Sequence, residues 1–189
     1  MIRAGSVEVA RPLFFQVEGG GSIPTSALNL LFEECDMRRA MELNREWHSV
    51  LPKTNLGNLT RNRRYVAYTA EFDGIIYAVA IWTSPVAANR LKDGENRLEL
   101  RRMAISGKAP KNTASRMIGW MRKDVKRKWT ELIGLISYQD TEKHKGTIYA
   151  ASGWTPIDTT KSLTKWNTNG RARNKEQSTA PKIRWEWWY

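Results

Sequence analysis

Cysteine and histidine are almost missing from this chain. Its 189 residues include one cysteine, Cys35, and two histidines, His48 and His144. A lone thiol excludes an internal disulfide framework, and so few ligands argue against a structural zinc site; no metal is predicted. Long apolar runs are also absent. No stretch approaches the roughly 20 residues of a membrane span, and the N-terminus lacks the apolar core of a signal peptide. The cytoplasm is therefore the default compartment, and no membrane partner is expected. Internal repeats and long low-complexity tracts are missing as well, and the length suits one domain.

Acid is scarce relative to base. Lys and Arg together number 31 against 19 Asp and Glu, a formal net charge of +12. That excess favours a polyanionic partner through phosphate neutralisation and counterion release, with nucleic acid as first candidate. What is abundant is tryptophan, nine residues in all, enough for a core and for stacking on bases. With 41% hydrophobic residues the chain can bury a real core.

Residues 1–24, with Gly19-Gly20-Gly21 and Pro24, read as a loosely ordered arm, and 25–189 as the domain. After the short apolar run Ala27–Phe32, the spacing of Met37, Ala40 and Met41 predicts a helix over Glu34–Trp47, with Asp36 in its first turn. Residues 48–62 read as a loop. Tyr65–Phe72, Asp73-Gly74 and Ile75–Thr83 form a hairpin, and Leu98–Ile105 a third strand. Asn112 or Thr113 caps a helix to about Trp129, Leu132–Ser137 is a buried strand, and Glu142–Ala151 a helix stopped by Gly153. Residues 154–166 read as a strand, a basic connector including Lys175 follows, and Ile183–Trp188 is the last strand. The order predicts an α/β (α+β) fold with a mixed, mostly antiparallel sheet flanked by helices.

Three segments carry candidate chemistry. Tyr149-Ala150-Ala151-Ser152-Gly153-Trp154 joins a helix to a strand. Lys108, Lys111, Asn112, Thr113, Ser115 and Arg116 surround a helix N-terminus, where free amides and the helix dipole favour an anion. Ser137-Tyr138-Gln139-Asp140 ends a strand, a common ligand position in α/β sheets. Asp140 reads equally as a base for an attacking amine or as the cap of the following helix. Ser115 reads as a donor-phosphate contact or as ordinary first-turn hydrogen bonding. Arg101 and Arg102 are adjacent on a strand and are expected on opposite faces; Arg101 is preferred for the cleft, with Glu99 as its partner, and Arg102 for a surface ion pair. The basic sets Arg61, Arg63, Arg64 and Arg122, Lys123, Lys126, Arg127, with Trp47 and His48, are candidates for nucleic-acid contact; solvated surface is the alternative for each charge run, and a capping role for His48.

The Tyr149–Trp154 block resembles the helix-to-strand signature of GNAT acyltransferases, and the whole element order is similar to that fold. The resemblance implies that Tyr149 protonates a leaving group and that the loop before the helix at 113 holds a coenzyme A pyrophosphate. The usual spaced glycines of that loop are missing here, replaced by Asn112, Thr113 and Ala114. Narrower blocks, Trp47–Pro52, Leu98–Arg102, Ala109–Met117, Ile136–Thr141, Gly146–Tyr149 and Gln177–Trp185, resemble the Mom family of phage DNA-modification proteins over roughly residues 27–187. Membership implies conversion of adenine in DNA to its N6-carbamoylmethyl form, an anti-restriction modification made in the bacterial host. It implies base flipping, with Trp47 or Tyr138 as stacking surfaces. A carbamoylmethyl amine is an isomer of a glycyl amine, so glycyl-tRNA is placed slightly ahead of acetyl-coenzyme A as donor. An ordinary GNAT N-acetyltransferase and a non-catalytic DNA-binding phage protein are the alternative readings.

Overall fold

The computed structural model describes residues 23–48, 55–85, 96–160 and 180–189. After a turn of 3-10 helix at Ala27–Asn29, the elements are β1 (Leu31–Cys35), α1 (Met37–Trp47), α2 (Leu56–Thr60), β2 (Tyr65–Phe72), β3 (Ile75–Thr83), β4 (Arg97–Ile105), α3 (Thr113–Lys128), β5 (Gly134–Asp140), α4 (Thr147–Ala151), β6 (Thr155–Thr160) and β7 (Lys182–Trp188). The strands form one sheet in the order β1-β2-β3-β4-β5-β7-β6. Every neighbouring pair is antiparallel except β4 and β5. A parallel pair needs a long crossover, and α3 supplies it.

The hairpin forms as the sequence reads. Phe72 faces Ile75 across Asp73-Gly74, whose φ values of 54° and 75° give the turn that matches strand twist. Two apolar layers then lie on opposite faces of the sheet. Met37, Ala40, Met41 and Leu43 of α1 pack with Leu59 of α2 onto Ala67, Val79, Ile81 and Ala104. Met117, Ile118, Met121 and Val125 of α3 belong to a cluster with Tyr68, Trp82, Leu98, Leu100, Leu135 and Trp185. Each helix presents the i, i+3, i+4 stripe that such burial requires.

Several expectations need correction. The segment expected to start a helix at Glu34 is a strand through Cys35, because Leu31–Cys35 pairs with Ala67–Glu71. Asp36 is the cap rather than a first-turn residue: its Oδ1 accepts from the amides of Arg38 (2.8 Å) and Arg39 (3.2 Å). The loop at 48–62 contains α2. The strand expected at Leu132–Ser137 runs Gly134–Asp140. The helix expected over Glu142–Ala151 shrinks to Thr147–Ala151. Gly146 at φ 73° sets its start, and turns fill 141–143. Residues 1–22 of the expected arm, 161–166 of the expected strand and Lys175 lie outside the described residues.

Arg101 and Arg102 do not take opposite faces. Ile81 pairs with Arg102 and Trp82 with Leu100, so Arg101 is an extra residue, a β-bulge in β4. Leu98 and Leu100 pack in the α3 cluster, and so do Met103 and Ile105, three and five residues past Leu100. Only an inserted residue lets an odd spacing return to the same face. Both arginines therefore sit on the α1 face, as does Ala104.

Candidate functional site

Strands β4 and β5 pair only from Arg97–Leu100 against Gly134–Ser137. Beyond that seam β4 pairs with β3 alone and β5 with β7 alone. The sheet opens there, with Arg101–Ile105 on one wall and Tyr138–Asp140 on the other. Ser137 marks the fork: its Oγ donates to the Leu100 carbonyl at 3.1 Å.

Tyr149 lies at the floor of the fork. Its hydroxyl is 2.8 Å from Ser137 Oγ. A serine has one proton, and Ser137 gives it to Leu100, so Tyr149 is the donor to Ser137. Burial raises the Tyr149 pKa above its ordinary value, which keeps the phenol protonated. The ring stacks on Trp185 at 5.4 Å and meets Trp154 at 5.7 Å. Gln139 fixes the neighbourhood: its Oε1 accepts from Trp185 Nε1 (2.7 Å) and its Nε2 donates to the His144 carbonyl (2.6 Å).

On the α1 face, Arg101 pairs with Glu99 at 3.7 Å, the partnership the sequence suggests, and reaches Thr83 Oγ1 at 3.4 Å. Arg102 donates to the Arg101 carbonyl at 2.7 Å, while its Nε is sealed from solvent and meets no acceptor. Burial and then the Arg101 charge lower its pKa to about 10, against the opposing pull of Glu99. His48 ends α1, its amide bonding the Asn44 carbonyl at 2.9 Å. Burial, Arg102 and His144 lower its imidazole to about 4. It is neutral near pH 7 and is no phosphate-neutralising cation. Tyr138 alternates with Ser137 on β5 and is half-buried. Asp140 is half-buried, and its Oδ1 accepts from the Glu142 amide at 3.1 Å, an Asx turn rather than a helix cap.

The helix at 113 starts in an unusual way. Asn112 takes φ 67° and makes no side-chain cap bond. Left-handed backbone is thus present without glycine, on the residue type that tolerates it best. Thr113 Oγ1 donates to the Pro110 carbonyl (2.7 Å), and Ser115 Oγ to the Asn112 carbonyl (3.2 Å), the ordinary first-turn use of a serine. Lys108, Lys111 and Arg116 are exposed around this turn, whose first amides lack intrahelical partners.

The other cationic candidates are scattered. Arg61, Arg63 and Lys123 are exposed. Arg64 is buried and paired with Glu131 at 2.5 Å. Arg122 donates to the Ser152 carbonyl at 2.8 Å and covers Trp187 at 3.8 Å. Lys126 donates to the carbonyls of Thr130 and Leu132 at 2.7 and 2.6 Å. Arg127 pairs with Asp124. Trp47 is half-buried against the α1 cluster, its Nε1 bonding Glu46 at 3.1 Å. The structure brings Arg101, Tyr138, Asp140 and Tyr149 to the fork and leaves Arg61, Arg63 and the α3 stripe at the far end of the sheet. Sequence reasoning named Ser137 only as part of the segment ending its strand and gave it no role, and it missed the placement of Arg102. A single hydroxyl directly after the apolar run Leu132–Ile136 was the signal for the first; the bulge left none for the second.

No curated protein sequence matches the chain. Solved structures do. An acetyltransferase of Bacillus subtilis in complex with CoA is 10% identical, covering 85% of this chain and 99% of its own, with a TM-score of 0.61. A ribosomal-protein-alanine N-acetyltransferase of Brucella melitensis is 13% identical over 85% and 100% of the two chains, TM-score 0.61. A GNAT family acetyltransferase of Elizabethkingia anophelis with acetyl-CoA bound is 15% identical over 85% and 99%, TM-score 0.55. These likenesses establish the GNAT fold. The profile of the Mom protein family matches residues 29–187, and with the split sheet in place this chain belongs to that family.

Proposed function

We propose that the protein is a transferase that modifies adenine in DNA, the carbamoylmethyl group on N6 being the product. The family match across residues 29–187 carries the reading. The net charge of +12 supports a nucleic-acid substrate, and the fork in the sheet supplies a place for chemistry.

Adenine's amino group is delocalised into its ring and paired in duplex DNA, so the base is flipped or taken single-stranded, at a cost of a few kcal/mol. Tyr138 is the stacking surface on the β5 wall. Asp140 takes a proton from the amine as the new C–N bond forms. The donor, once bound, supplies an activated carbonyl. Tyr149 retains its proton at neutral pH and gives it to the departing group, turning from Ser137 to do so. The first product is the N6-glycyl amide. Its free amine then attacks the ring carbon, and the bond from that carbon to the original amino nitrogen breaks. That nitrogen remains on the carbonyl as the carboxamide of the isomeric carbamoylmethyl amine. Glu99 and Thr83 hold Arg101 at the start of the open stretch of β4.

Lys108, Lys111, Arg116 and the first-turn amides after Asn112 fit the phosphates of a donor. Glycyl-tRNA is our preferred donor because it supplies both the activation and the nitrogen of the product. The left-handed turn at Asn112 favours a second reading, an ordinary acetyl-coenzyme A-dependent N-acetyltransferase, since that turn suits a pyrophosphate.

The test is mass spectrometry of nucleosides from plasmid DNA after expression in bacteria, beside Asp140→Ala. Deoxyadenosine heavier by the carbamoylmethyl group, and absent in the variant, is expected. Unmodified DNA from folded protein supplied with both donors would overturn the reading. Labelled glycine entering the product identifies the glycyl donor.

A further inference from the structure

Arg102 is the anomaly in this molecule. No carboxylate pairs with it among the described residues, its Nε is sealed from solvent without an acceptor, and its one hydrogen bond goes to a main-chain carbonyl. A guanidinium removed from water without a counter-charge is costly, several kcal/mol per ion for the burial alone. Arg101 makes matters worse. The bulge puts it on the same face, and Glu99 is already its partner. The residue is not fully closed off, so a ligand can reach it. A planar fork with unfilled donors is suited to two oxygens of one anion.

A phosphate is the two-oxygen anion that a nucleic-acid substrate offers such a fork, and the face on which Arg102 lies bears on its source. The turn at Asn112 and helix α3, whose first-turn amides are proposed above for donor phosphates, lie with the Leu98 and Leu100 side of the sheet. Arg102 lies on the other side, with α1 and Ala104. His48 is neutral there, so Arg102 and Arg101 supply the positive charge.

We propose that Arg102 binds a phosphodiester of the nucleic acid whose adenine enters the fork, and so sets where along the strand the enzyme acts. The proposal rests on the DNA-modifying reading given above.

The test uses the full chain and short single-stranded oligonucleotides containing one adenine. Affinity is measured over a salt series for the wild type, Arg102→Gln and Arg102→Lys. One phosphate at a time near the adenine is replaced by a neutral methylphosphonate. Arg102→Gln is expected to bind about tenfold more weakly, the loss of one charge-assisted contact. Its slope of log affinity against log salt should be shallower by about 0.7, the value of one phosphate on a single strand. Arg102→Lys should restore the slope. One methylphosphonate position should weaken the wild type and leave Arg102→Gln unaffected. Because no carboxylate pairs with Arg102 among the described residues and its bond is to a main-chain carbonyl, Arg102→Gln should keep or raise Tm. An unchanged slope, or no position-specific effect in the wild type, would overturn the proposal. So would a loss confined to coenzyme A binding, which would give the phosphate to the donor. If the wild type binds no oligonucleotide, the DNA reading fails. A rise in wild-type Tm with inorganic phosphate that Arg102→Gln lacks would then leave an anion site with a different ligand.

Discussion

At the scale of single residues, the molecule separates groups that hold protons from groups that hold charge. Tyr149 keeps its proton and spends it on Ser137. Tyr149→Phe preserves the stack on Trp185 and removes one hydrogen bond. Its denaturant midpoint should reflect a loss of about 1 kcal/mol. Modified-nucleoside yield should fall by about a hundredfold or more, the scale of a lost general acid. A yield close to wild type would return the tyrosine to a packing role. His48 gives a pH dependence. Its folded pKa of about 4 lies below the unfolded 6.5, so between those values the unfolded chain binds more protons. Stability from this group is full above 6.5 and is lost as pH falls towards 4. Urea melts at pH 7 and 5 should show the wild type losing more stability on acidification than His48→Gln.

At the scale of elements, short segments are held by side chains from elsewhere. The five-residue α4 depends on Gly146. A Cβ there would strike Gln139 Oε1 and come within 2.7 Å of Trp185 Cζ2, at a left-handed φ. Gly146→Ala should therefore cost more than the 1–2 kcal/mol of the backbone conformation alone, read by denaturant melts. On α3, Arg122 and Lys123 are neighbours with different work. Arg122→Ala breaks the bond to Ser152 and the contact with Trp187 and should destabilise by about 1–3 kcal/mol. Lys123→Ala should stay within about 0.5 kcal/mol of wild type. The sequence shows both as one basic stripe because helical spacing reports a face, not what packs on it. The hairpin is legible for the opposite reason: Asp73-Gly74 and its flanking alternation are local. The strand at Leu31 is not, since Glu33 and Glu34 suit a helix and only pairing with β2 overrides them. The bulge at Arg101 is equally silent, because register belongs to two strands and not to one.

At the scale of the whole molecule, the sheet edges are protected by different means. Strand β1 carries Glu33 and Glu34 at its margin, while β6, exposed along its length, has Pro156 and a register shift before Asp158. Charge, proline and irregularity all discourage pairing with another chain. Charge has a second role at this scale. With a net +12, DNA affinity should drop steeply between low and physiological salt, and a fluorescence titration measures it. Salt-insensitive binding would count against a phosphate-led encounter.

The fork between β4 and β5 divides the fold into two work parties. The first, through β4, brings Glu99, Arg101 and Arg102; the second, from β5 onwards, brings Ser137, Tyr138, Asp140 and Tyr149. They meet along one short seam, Arg97–Leu100 against Gly134–Ser137. Neither half alone holds all of these residues, so the site proposed above is assembled only where the two halves meet. Competence arrives only when the seam closes.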